Sequence, residues 1–110
     1  MSKSLNFNNI EKRYLTVTFA DEKETTILVT MPTKGLLREL TNLNTALTAT
    51  EDDLGTLDEL YIMCAKVMSR NKGGVVITKE FLEEIFDFED ILIFLKEYMS
   101  FIGEVAGRKN

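Results

Sequence analysis

Histidine is absent from this chain, which has one cysteine and one proline in 110 residues. Without an imidazole it has no side chain that ordinarily changes charge between pH 5 and 8. It therefore lacks the usual general base, any thiol–imidazole pair and most zinc frameworks. A lone Cys64 excludes an internal disulfide, and its place on an apolar helix face predicts burial in a protein of a reducing cytoplasm. A reactive thiol is the alternative reading. No run of about 18 uncharged apolar residues is available to span a membrane. The opening Met1-Ser2-Lys3-Ser4-Leu5-Asn6 has no apolar secretory core, so the expectation is a soluble intracellular protein.

What is present suits one globular domain. The residues are 45% hydrophobic and 28% charged with a net charge of −5, which is neither a disordered nor a collagen-like composition. The length fits a single core covering residues 1–110. Residues 75–110 hold eight Asp or Glu against four Lys or Arg, a balance that opposes nucleic-acid binding there. The first forty hold six Lys or Arg against five Asp or Glu, without a basic stripe.

Residues 14–20 alternate Leu15, Val17 and Phe19 with Thr16 and Thr18, the period of a strand with one buried face. A charged turn over 21–24 leads to a second β-rich run containing Ile27, Leu28 and Val29. The pair predicts a hairpin over 14–31, which Pro32 ends because it has no N–H to continue a ladder. Residues 33–107 then read as mainly helical. Thr33 can cap a first helix with Leu36, Leu37, Leu40, Leu43 and Leu47 on one face. After a loop over 48–53, a second helix carries Leu54, Leu57, Leu60, Tyr61, Cys64, Val67 and Met68, and Arg70 to Gly74 supply its end. Val75 to Ile77 form a short strand or an extended link. Thr78 and Asp87 each have an N-cap position, with Ile77/Leu82 and Phe86/Ile91 at hydrophobic-staple spacing. The expected fold is α+β, a hairpin followed by about four helices.

Chemistry-bearing motifs are sparse. The carboxylate pairs Asp52-Asp53, Asp58-Glu59, Glu83-Glu84 and Glu89-Asp90 fall on a loop or on polar helix faces, where nothing fixes a catalytic or metal-binding separation. In Lys72-Gly73-Gly74-Val75 the lysine precedes the glycines, the wrong order for a P-loop. No enzyme activity, cofactor or metal is implied.

The last helix, Phe88 to Ala106, is apolar on more than one side. One stripe is Phe88, Ile91, Leu92, Leu95, Met99, Ile102 and Ala106, and it is expected to face the core, Phe88 and Ile91 above all. A second is Phe94, Tyr98, Phe101 and Val105. It meets either further core or a protein partner, and these four residues are the candidate protein-binding face, for a client or for a homo-oligomer.

Several segments carry a resemblance: Asn8-Asn9-Ile10-Glu11-Lys12-Arg13-Tyr14-Leu15-Thr16-Val17-Thr18, Pro32-Thr33-Lys34, Met68-Ser69-Arg70-Asn71-Lys72-Gly73-Gly74 and Phe86-Asp87-Phe88-Glu89-Asp90-Ile91. Together, in this order, the chain resembles the small tail assembly chaperones of long-tailed phages and prophages of Gram-positive bacteria. That resemblance implies a non-enzymatic chaperone that binds the tape measure protein and assists polymerisation of the tail tube protein around it, in the cytoplasm of the bacterial host. A structural virion or head–tail connector subunit is the second expectation, and a small regulatory binding protein the third.

Overall fold

In the computed structural model, residues 3–49 and 54–107 are described, with the side chains of residues 9, 44–49 and 54–56 outside that description. Leu47, Leu54 and the acids Glu51, Asp52 and Asp53 therefore lie outside it as candidate contacts. The order of elements is a 3-10 turn over Phe7–Asn9, β1 (Leu15–Thr18), β2 (Thr26–Val29), α1 (Lys34–Ala49), α2 (Leu54–Met68), α3 (Lys79–Ile85) and α4 (Phe88–Gly107). This is the α+β arrangement expected, a two-stranded antiparallel hairpin followed by four helices. The strands are shorter than the sequence pattern and α1 continues through Thr48 into Ala49, where a loop was expected.

The hairpin pairs Leu15 with Val29, Thr16 with Leu28, Val17 with Ile27 and Thr18 with Thr26. Its period-two alternation sends Phe19, Ile27 and Val29 into the core while Thr16 and Thr18 stay exposed. Asp21 organises the turn, accepting from the Thr25 N–H at 2.8 Å and the Thr25 hydroxyl at 2.7 Å. Glu24 carries the left-handed φ of 50° that reverses the chain. Two strands alone are marginal in water, and the chain after α2 supports them. Thr30 N–H donates to the Arg70 carbonyl and Lys72 N–H to the Leu28 carbonyl, both at 2.9 Å. These bonds cover the outer edge of β2.

Residues 75–77 link α2 to α3 without forming a third strand. Side chains satisfy their backbone. Asn71 Oδ1 accepts from Val75 N–H while its Nδ2 donates to the Met68 and Val75 carbonyls, and Ser69 Oγ both donates to the Ile77 carbonyl and accepts from the Ile77 N–H. Gly74, with φ of +71°, makes the turn that an L side chain would resist.

The caps anticipated at Thr33, Thr78 and Asp87 are all formed, while the approach to α2 lies outside the described residues. Thr33 Oγ1 accepts from Leu36 N–H at 3.2 Å and Thr78 Oγ1 from Phe81 N–H at 3.1 Å. Between α3 and α4, Asp87 and Asp90 exchange side-chain and backbone hydrogen bonds. One core results, running from Phe19, Ile27 and Val29 through Leu36, Leu40, Leu60, Val67 and Met68 to Leu82, Ile91 and Tyr98. No helix among the described residues is long and apolar enough to cross a membrane.

Candidate protein-binding face

α4 is where sequence and structure part. The stripe expected to offer a binding face is buried: Tyr98 is 0% exposed, Phe94 6% and Phe101 8%, and Val105 packs half-buried against the same core. Tyr98 stacks on Phe94 with ring centroids 5.6 Å apart and lies 6.2 Å from Phe101. Its hydroxyl donates to the Thr30 carbonyl at 3.0 Å. These four residues hold α4 on the domain and are not an exposed partner surface.

The stripe expected to be core divides. Ile91 and Ile102 are buried, Leu95 is half-buried, and Phe88, Leu92 and Met99 are each 42% exposed. A helix turns about 100° per residue, so Met99 lies about that far round α4 from the buried Tyr98. Phe88, Leu92, Leu95 and Met99 follow one another by four, three and four residues. That rhythm lines up a narrow seam of the kind one helix offers another. Beside it a small, partly enclosed cleft of about 70 Å³ is bordered by Leu40, Thr41, Leu60, Leu95 and Met99, so α1 and α2 form its far wall. Ile93, 53% exposed, belongs to neither stripe and points to the other flank of α4.

The physical reason for the exchange is volume. Both stripes have helical period, but only one carries three aromatic rings, and burying rings removes more apolar surface from water than burying the same number of aliphatic side chains. Ring count per stripe was the signal in the sequence that could have identified the inner face.

Several polar groups elsewhere serve the fold. Lys79 Nζ bridges Asp58 of α2 at 2.7 Å and Glu83 of α3 at 3.4 Å, and these bonds hold its pKa up. Asp90 is in the α4 cap. Among the described residues no group of three or more Cys, Asp or Glu side chains is placed to hold a metal. Burial pushes the Cys64 thiol up to about 12, so at neutral pH the nucleophilic thiolate is suppressed. Comparison with protein-family models, curated proteins and solved structures returned no match to this chain.

Proposed function

We propose that this protein is a non-enzymatic tail assembly chaperone of a long-tailed phage or prophage, binding a helical segment of the tape measure protein while tail tube protein assembles around it in the bacterial cytoplasm. Two things support the reading. The segments quoted from the sequence resemble such chaperones, and α4 offers an exposed seam suited to an amphipathic helix. The observation that carries the proposal is the partial exposure of Phe88, Leu92 and Met99 in one line.

Magnitudes favour reversible binding. Fully burying a large apolar side chain stabilises by about 1.5–3 kcal/mol. Three residues with two-fifths of their surface left to cover then contribute roughly 2–4 kcal/mol from this side. Association costs an estimated 4–15 kcal/mol, so one copy holds its client weakly and a long client collects several copies. A chaperone that must leave the finished tail needs such a grip.

The test is co-expression with fragments of a tape measure protein followed by affinity capture. Wild type should bring down a soluble complex that Leu92→Asp with Met99→Asp loses while remaining folded. Capture unaffected by that pair would remove the seam from the proposal. Presence of the protein in purified particles would replace a chaperone with a virion subunit.

A further inference from the structure

On the other flank of α4, β1 keeps an open edge. Phe19 N–H bonds the Thr25 carbonyl, and the register pairs Val17 with Ile27 and Leu15 with Val29. Odd residues of β1 thus bond to β2, so Thr16 and Thr18 direct their backbone N–H and C=O groups away from it. The same parity on β2 sends Leu28 and Thr30 to the 70–72 segment that covers them. Nothing among the described residues bonds the Thr16 and Thr18 backbone in that way. An uncovered edge is a template for another strand.

This edge forms one wall of a groove of about 380 Å³. Ile85, Phe86, Ile93 and Phe94 supply apolar lining, and Asp90 and Glu97 add two carboxylates. The matching piece is in the same sequence. The arm before β1 holds Leu5 at 71% exposure and Phe7 at 69%, spaced by two so that an extended arm would present both on one side. Residues 3–13 contain Lys3, Lys12 and Arg13 against Glu11, a net charge of +2. Asp90 gives one carboxylate oxygen to the α4 cap, and among the described residues neither it nor Glu97 forms an ion pair, while Leu5 and Phe7 of the arm stay exposed in one copy.

The arm does not reach its own groove. It enters β1 in extended conformation, with Ile10 at φ −79° and ψ 131°. At its root the Tyr14 ring lies beneath Lys72 Nζ, 5.6 Å from the centroid, on the side of the segment that covers β2. We propose that the arm of one copy adds as a strand to the β1 edge of a second copy, placing Leu5 and Phe7 in the groove and its cations near Asp90 and Glu97. The 3-10 turn at Phe7–Asn9, closed by Asn8 N–H to Asn6 Oδ1 at 3.0 Å, gives way to strand pairing. Backbone bonds supply the attachment and the alternate side chains its register.

Sedimentation velocity over a concentration series, joined to cross-linking, tests this. Wild type should associate with rising concentration and less so at high salt, because the charges are exposed. Leu5→Asp with Phe7→Asp should weaken association at least tenfold. Thr16→Pro should do the same, since it removes an outward N–H and leaves the β1–β2 bonds in place. Mixing a Leu5→Cys copy with a differently tagged Ile93→Cys copy should give a disulfide between the two. A chain that stays monomeric throughout, or a single chain carrying both Leu5→Cys and Ile93→Cys that closes only within one copy, overturns the proposal. So does association that survives the arm variants and is lost with Leu92→Asp, because copies would then meet through the α4 seam. The arm variants leave that seam intact, so client capture and self-association fail separately.

Discussion

Tyr98 on α4 donates its hydroxyl proton to the carbonyl oxygen of Thr30, 68 residues earlier, at 3.0 Å. Thr30 follows β2 directly, and its own N–H bonds Arg70. One phenol therefore ties the last helix to the hairpin that the rest of the chain covers. Tyr98 is wholly buried, so no water replaces a lost partner at its side. Tyr98→Phe keeps the ring stacking and removes only the hydrogen bond. It should lower unfolding free energy by about 1–2 kcal/mol, seen as a lower urea midpoint with unchanged slope.

The same burial makes the protein sensitive to alkali. Burial raises the Tyr98 hydroxyl from 10.0 to about 12, partly offset by the charge of Arg70. It raises the Cys64 thiol from 9.0 to about 12, and it raises Tyr61 together with the charges of Asp87 and Asp90. Each folded pKa lies above its unfolded value, so the folded state favours the protonated form. Their stabilisation is complete below pH 9 and is lost as pH climbs from about 9 to 12. Thermal midpoints should be level near neutrality and fall through that window, with a shallower fall in Tyr98→Phe.

α4 offers a direct comparison of its two stripes. Phe94→Ala and Phe101→Ala remove buried rings and leave cavities, so each should cost about 3–5 kcal/mol. Leu92→Ala, on the exposed seam, should cost well under 1 kcal/mol because little packing is lost. Equal losses in chemical denaturation at Leu92 and Phe94 would mean that the seam is also core.

Local rules made most of this fold legible. The alternation of Leu15, Val17 and Phe19, the caps at Thr33, Thr78 and Asp87, and the helix end at Arg70 to Gly74 involve residues close in sequence, and the chain uses them as written. The direction of α4 was not legible in that way. Periodicity marks which residues share a face and leaves open which face meets the core. That choice fell to Tyr98, whose partner Thr30 is distant in the chain, to the stacking of Phe94 on it and to the tilted ring of Phe101 beside it. The groove beneath Ile93 was hidden for the same reason, since it exists only once β1 lies alongside α4.

The start of α4 rests on two aspartates. Asp87 Oδ1 accepts from Asp90 N–H and Asp90 Oδ2 accepts from Asp87 N–H, both at 2.9 Å. This is a capping box with aspartate where glutamate is usual, and with Glu89 it places negative charge against the positive helix end. Just before it, Phe86 N–H closes α3 on the Leu82 carbonyl at 2.7 Å and the Phe86 carbonyl accepts from the Tyr61 hydroxyl at 2.9 Å. The direction in which α4 leaves is therefore fixed within two residues. Asp87→Ala should cost about 1 kcal/mol, and Asp87→Asn, which retains an acceptor, much less. The loss should appear first as faster hydrogen exchange at the opening turn of α4, where the seam begins at Phe88, while amides near Tyr98 exchange only with global unfolding. Uniform acceleration along α4 in Asp87→Ala would instead show that the cap supports the whole helix as one cooperative unit.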